Sequence, residues 1–368
     1  MSVQARISPD GRSVHLDWPD GSGLELDARW LIDHSNAARD PVSGQRSRGA
    51  LWLSDAACLA DARVEGEVLA FHIDPAGPAE WISLDGLRTA AGDPVRTPWP
   101  TPDVNSLLEP IDFDAYLADD HALRDALSRV RRFGLLMLDG AGSEPGTVER
   151  AVERFGFVRE TNYGRLFDVK ITASPQNLAF SDRGLELHTD NPYRDPPPTL
   201  QLLHALATDP LGGETLFVDG FAHAEALRQE VPEAFAILSR TPARFGYADA
   251  SGACWTASAP IIELGASGEV ETIRLNHRAL DLPPRAATTA WYDAYLAFYR
   301  RVHVSGAALE RTLGPGEIVL FDNRRILHGR RGLASGSPRW LQGCYADRDG
   351  LMATLARLER PSPRPAIR

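Results

Sequence analysis

Between residues 164 and 347 the chain repeatedly sets a short apolar run between turn residues: GRLFDVKI, TLQLLHAL, GETLFVDG, EVETIRLN, GEIVLFDN and RWLQGCYAD. Runs this short, bounded by Gly, Asp and Pro, read as buried or half-buried strands. Only two helical stretches, 219–230 and roughly 286–304, interrupt them. Many short strands with few helices predict a mainly β fold with flanking helices, a double sheet of the jelly-roll kind with the helices outside.

Upstream the texture differs. Residues 1–92 read as a small β-rich unit, in which RSVHLDW and GLELDARWL alternate around the turn PDGSG and EVLAFHI and EWISL add strand-like runs. DPVRTPWPTPDV, residues 93–104, holds four prolines. Proline lacks a donor and disfavours helix, so an extended linker is expected there. From 105 to 368 a larger domain follows. DDHALRDALSRVRRF has helical periodicity with Asp119 or Asp120 as N-cap, GLLMLDG is a short buried strand, and EPGTVERAVERFG is a helix closed by Gly156. The tail ERPSPRPAIR is expected to be loose.

At 368 residues with 43% hydrophobic content, a substantial core is within reach. The net charge of -11 argues against a nucleic-acid partner, which needs a basic footprint. No stretch approaches the ~18 apolar residues of a membrane span, and MSVQARISPDG has no apolar signal core. Cys58, Cys254 and Cys344 are odd in number and dispersed, so no disulfide framework is implied. A cytoplasmic protein acting on a small molecule, without nucleic acid or membrane, is the expectation.

The stretch GLELHTDNPY puts His188 and Asp190 two residues apart. If 185–190 is extended, both side chains project from one face. Alone, such a pair is more often an ordinary hydrogen-bonded one. A third ligand would complete a triad of two His and one carboxylate, which leaves one face of an octahedral metal open. His328, in GEIVLFDNRRILHGRRG, is the candidate, just past an apolar strand at 317–321. Eleven residues later, Arg339 offers a permanently charged guanidinium able to pair bidentately with a carboxylate. His204 and His277 read as structural histidines.

Taken in order, ELHTDNPYRDPPPTLQLLHAL, GGETLFVDGF, FDNRRILHGRRG and RWLQGCYADRD resemble the Fe(II)/2-oxoglutarate dioxygenases of the taurine dioxygenase and γ-butyrobetaine hydroxylase group. The resemblance covers most of the chain and is closer to the γ-butyrobetaine enzymes. It implies a double-stranded β-helix, with Fe(II) held by His188, Asp190 and His328. It implies 2-oxoglutarate anchored by Arg339, with Thr215 and Leu203 as further co-substrate contacts. The implied reaction is an O2-dependent hydroxylation coupled to decarboxylation of 2-oxoglutarate to succinate.

In the γ-butyrobetaine enzymes an aromatic cage holds a trimethylammonium group by the attraction of a cation to ring faces. The matching positions are Tyr163, Phe167, Phe180 and Tyr345, all aromatic, with Phe167 and Phe180 where Trp and Tyr are expected. The alternative is that they are core aromatics. Asn177 and Asn276 match polar pocket positions. Asn191 follows the candidate metal carboxylate where the animal enzyme carries Tyr, and Arg194, Arg274 and Arg278 are near these asparagines in sequence. The resemblance thus implies a quaternary ammonium acid as substrate, either γ-butyrobetaine, giving carnitine, or 2-(trimethylammonio)ethylphosphonate.

The family's N-terminal zinc cluster is another matter. The corresponding segment, RWLIDHSNAARDPVSGQR, contains no Cys, whereas thiolates are the usual soft ligands of such a site. No structural zinc is expected, though the unit is expected to support a homodimer as in the family. Two other classes compete: a zinc hydrolase using the same His/Asp/His set, and a β-helix binding protein without activity. Arg339 favours the oxygenase over the hydrolase, and the complete triad favours an enzyme over a binding protein. Another small amine or sulfonate is the alternative substrate.

Overall fold

The computed structural model describes every residue except 1–2, 48, 51–52, 85–86, 88–95, 100–106, 173–179, 210, 250–251, 283–287, 305, 307 and 360–368. Strand Leu200–Ala207 is buried almost throughout, so its sequence reads as a near-continuous apolar run. It lies between strands Ile318–Asp322 and Trp340–Ala346 and is antiparallel to both. This sheet continues through Leu135–Asp139 to Ile111–Asp112 on one side, and to Phe167–Lys170 on the other. A second sheet orders four strands: Leu185–His188, Ile326–Arg330, Thr215–Asp219 and Leu309–Arg311.

The two-residue period of a strand sorts these side chains between different cores. Leu203, Ala205, Val319, Phe321, Leu135 and Met137 of the larger sheet share one core with Phe217, Leu309 and Ile326 of the smaller. Their alternates, Leu200, Leu202, Ile318, Leu320, Leu136 and Leu138, pack with helices Asp120–Phe133, Thr147–Glu153 and Arg348–Glu359. Leu216, Val218 and Leu327 of the smaller sheet pack with helices Gly220–Glu230, Pro232–Arg240 and Thr289–Val302. The result is the expected mainly β arrangement: two sheets with apolar side chains between them and helices outside.

Asp119 caps its helix as expected, accepting from the N–H groups of His121 and Ala122. Three helices of the larger domain were not anticipated: Phe113–Ala118, Pro232–Arg240 and Arg348–Glu359. The run GLELDARWL also splits. Gly23–Asp27 is a strand, but Asp27 then accepts from the Arg29 N–H and starts the helix Ala28–His34.

By contact, the chain divides into two units, Met1–Pro94 and Val95–Arg368. In the first, two three-stranded sheets (Gln4–Ile7, Ser13–Asp17, Gly23–Asp27 and Asp61–Glu65, Val68–His72, Glu80–Ser83) share a core that includes Val14, Leu16, Leu31, Leu69 and Phe71. The proline-rich segment departs from expectation. Its described residues, 96–99, are not a free spacer but are bonded into the second unit. Trp99 is buried, and its Nε1–H donates to the Phe133 carbonyl (2.8 Å) and its backbone N–H to Asp219 (3.1 Å). Arg325 donates to the Thr97 carbonyl (2.7 Å) and forms a buried two-point pair with Asp219. The expected loose tail lies, but for Glu359, outside the described residues. No helix among the described residues is long and apolar enough to cross a membrane.

Candidate active site

The smaller sheet sets two histidines face to face. Strands Leu185–His188 and Ile326–Arg330 run antiparallel with His188 directly opposite His328, and their rings lie 4.4 Å apart. Gly329 permits this approach, since a Cβ there would stand 2.6 Å from the Leu185 carbonyl oxygen. The strand ends at His188, so Asp190 does not reach the site by strand alternation. A clamped turn brings it there. The Thr189 N–H donates to the Leu275 carbonyl (2.8 Å), and the Asp190 N–H donates to Asn323 Oδ1 (2.8 Å). Asn323 Nδ2 in turn donates to the Asp190 carbonyl (3.1 Å).

Asp190 Oδ1 then lies 3.3 Å from His188 Nε2, and Oδ2 lies 3.8 Å from His328 Nε2. Among the described residues, this is the group of His, Cys, Asp or Glu side chains able to hold a metal, with one donor atom from each within 4.8 Å of the others. The protonation states suit a divalent cation. Burial, helped by the neighbouring His188, pushes His328 down to about 3, so its imidazole is neutral at ordinary pH. Burial alone would raise Asp190, but its contacts with His188, His328 and the Tyr345 hydroxyl outweigh it and hold the carboxyl well below the usual range. His188 Nδ1 sits 2.8 Å from the Glu186 carbonyl. That contact puts the proton on Nδ1 and leaves Nε2 free to ligate.

Arg339 and Thr215 meet, Nη2 donating to Oγ1 at 3.2 Å. Arg339 is buried, and its Nη1 has no hydrogen-bond partner among the described residues. Burial, with the neighbouring Arg330 charge, pushes its guanidinium down to about 10. A buried cation with an open donor is suited to an anion that arrives from outside. Leu203 lines the same cavity.

This cavity, about 330 Å³, extends from the histidines to an aromatic wall that includes Tyr163, Phe167, Phe180 and Tyr345. Tyr163 and Phe167 have centroids 6.2 Å apart, and Phe167 and Tyr345 stack at 5.0 Å. Phe167 lies across the sheet from Gly343, where a Cβ would come within 2.5 Å of its ring. The Tyr345 hydroxyl donates to Asp190 Oδ2 at 2.8 Å. Asn276 lines the cavity and donates to the Thr189 carbonyl (3.1 Å), so it also braces the turn before Asp190.

Two expected pocket residues stand elsewhere. Asn191 does not line the cavity. Its φ of 51° places it in the left-handed region, and it accepts a hydrogen bond from Tyr193 at 2.7 Å. Arg194 does not line the cavity either; it donates to Asn162 (2.9 Å), with its guanidinium 5.4 Å from the Trp255 ring. Arg274 is bound to Glu263 and to the carbonyls of Pro192 and Arg194. Asn177 lies outside the described residues. Conversely, Tyr193, Tyr247, Gln201 and Arg278 line the cavity without having been singled out as site residues. Arg278, beside Asn276 in sequence, was within reach of the sequence reading. Tyr247 was not, because its hairpin, Ala243–Ala248 with Cys254–Ala259, joins the site only through tertiary packing.

A sequence profile of the taurine catabolism dioxygenase TauD, TfdA family matches residues 100–345. γ-Butyrobetaine dioxygenase of Pseudomonas sp. (strain AK-1) is 41% identical over 254 residues, 68% of this chain and 66% of that protein. The Homo sapiens γ-butyrobetaine dioxygenase is 34% identical over 67% of this chain and 66% of its own length. The chain thus spans just under two thirds of these relatives. Mitochondrial trimethyllysine dioxygenase of Mus musculus is 28% identical over 91% of this chain and 83% of its own. The solved structure of asparagine oxygenase in complex with Fe(II), 2S,3S-3-hydroxyasparagine and succinate shares the fold, with a TM-score of 0.50 at 20% identity over 63% of this chain and 82% of that one. The match over 100–345 is what the two-sheet fold and the paired histidines lead one to expect: the chain belongs to the TauD/TfdA family of dioxygenases.

Proposed function

We propose that the protein is an Fe(II)- and 2-oxoglutarate-dependent hydroxylase of a small trimethylammonium acid, with γ-butyrobetaine as substrate and carnitine as product. The observation that carries this reading is one cavity holding three things at once: the His188/Asp190/His328 donor set, a buried arginine with an open donor, and an aromatic wall. Two imidazoles and one carboxylate suit Fe(II), and they leave coordination positions open. When bound, the iron and 2-oxoglutarate supply the activation of O2 and the oxidising power, with succinate and CO2 released.

The chain's own residues do the placing. Arg339 and Thr215 hold the distal carboxylate of 2-oxoglutarate. Tyr163, Phe167 and Phe180, with Tyr247 beside them, hold the cation, for which no hydrogen bond is possible. Arg278 meets the substrate's acid group: of the three arginines near Asn276 and Asn191 it is the one that lines the cavity. The same anchoring arginine speaks against a zinc hydrolase, which has no use for a carboxylate clamp. γ-Butyrobetaine is favoured by the name of the 41% identical relative. Trimethyllysine, from the more distant relatives, is the second reading, since it presents the same cation. Only its cationic end supports the phosphonate.

Comparing kcat/KM for γ-butyrobetaine, trimethyllysine and 2-(trimethylammonio)ethylphosphonate tests the choice. γ-Butyrobetaine should lead. A clear preference for either of the others would reassign the substrate while leaving the reaction class standing. A homodimer remains part of the proposal, with light scattering as its check.

A further inference from the structure

Tyr345 has two faces, and the aromatic wall uses only one of them. Its ring stacks on Phe167 at 5.0 Å. Its hydroxyl donates to Asp190 Oδ2 at 2.8 Å. The residue is buried on strand Trp340–Ala346, opposite Gln201 of the neighbouring strand, so its ring has little freedom to swing away. A carboxylate beside a cation can offer one oxygen or both. One that already accepts from a fixed hydroxyl has that oxygen committed elsewhere and is biased to ligate through the other. An aspartate spread over two positions would leave one fewer for a chelating co-substrate and O2.

We infer that the Tyr345 hydroxyl is a positioning group for the metal site: it holds Asp190 as a one-oxygen ligand, while its ring serves the aromatic wall. This inference rests on the proposed His188/Asp190/His328 metal site, but not on which substrate the wall receives. Hydrogen bonds to ligating side chains commonly tune metal affinity by about 10–100-fold. The ring of Tyr345 acts on a cation by a separate route, through its π face.

The two roles are separable by substitution. Tyr345→Phe keeps the ring and removes the hydroxyl; Tyr345→Leu removes both. The probe is anaerobic titration of the full-length apoprotein with Co(II), followed by its visible spectrum, with and without 2-oxoglutarate. Tyr345→Phe is expected to weaken Co(II) binding by roughly 10-fold or more and to alter the d–d bands, while the KM for γ-butyrobetaine changes less than about twofold, since the ring remains. Tyr345→Leu is expected to impair both. Circular dichroism and a melting curve show that each variant is folded before titration, and Phe167→Leu, which disturbs the stack but not the hydroxyl, should bind Co(II) like the parent. A Tyr345→Phe protein with parental Co(II) affinity and an unchanged spectrum would overturn the inference. The metal titration needs no substrate, so an enzyme inactive on γ-butyrobetaine would sink the substrate reading and leave this result intact.

Discussion

At the residue scale, small groups set the shape of the cavity as much as the large ones that line it. Gly343 is a case. A methyl there would meet the Phe167 ring at 2.5 Å and Leu203 at 3.0 Å, so Gly343→Ala should push Phe167 into the cavity. The expected result is a KM for γ-butyrobetaine raised by roughly 5–10-fold, a loss of about 1 kcal/mol of ground-state binding. Steady-state kinetics checks this; the KM for 2-oxoglutarate should move less. Arg339 makes the complementary prediction. Lysine cannot reproduce a two-point fork, so Arg339→Lys should raise the KM for 2-oxoglutarate by at least ~10-fold and leave that for γ-butyrobetaine nearly unchanged. At this scale the sequence is most legible where chemistry demands particular residue types. His188, Asp190, His328 and Arg339 can be found by type and order, and they do converge. Asn191 is misread because proximity in sequence says nothing about direction. Asn191 has a left-handed backbone and accepts a hydrogen bond from Tyr193, and it is Tyr193 that lines the cavity.

At the element scale, strand pairing supplies the two imidazoles and a braced turn supplies the carboxylate. Gly329 lies between His328 and Arg330 on a strand whose neighbour's carbonyl leaves no space for a Cβ. Gly329→Ala should therefore wedge the two ligand strands apart. Fe(II) or Co(II) affinity is expected to fall by ~10–100-fold, measured by anaerobic titration, with a folded far-UV spectrum retained. The strands themselves are readable from their apolar runs, because a sheet buried on both faces leaves that mark. The three unanticipated helices are less so. Arg348–Glu359 buries only Leu351 and Leu355 fully, too little for a strong amphipathic pattern. Pro232–Arg240 follows Gly220–Glu230 with a single residue, Val231, between them, so the two merge in a sequence pattern. The expectation that Asp190 shares a strand face with His188 also fails here. The motif is right, but the geometry belongs to a turn held by Asn323 and Leu275.

At the scale of the whole molecule, the two-sheet fold follows from many weak, consistent signals, whereas the role of residues 96–99 depends on one buried cluster. Proline content alone suggests a spacer. Yet Asp219 and Arg325, both fully or nearly buried, pair there and bind Thr97 and Trp99. Asp219→Asn would leave Arg325 charged and unpaired in the interior. Breaking a buried pair this way costs ~3–5 kcal/mol, and urea denaturation should show the loss; a change under about 1 kcal/mol would mean the cluster is not a stabilising centre.

Succinate release tests the proposed reaction directly. With Fe(II), 2-oxoglutarate and O2 present, γ-butyrobetaine is predicted to stimulate succinate formation in step with hydroxylated product, and Asp190→Ala to abolish both. Succinate formation that no trimethylammonium acid stimulates, or full coupled turnover in Asp190→Ala, would contradict the assignment.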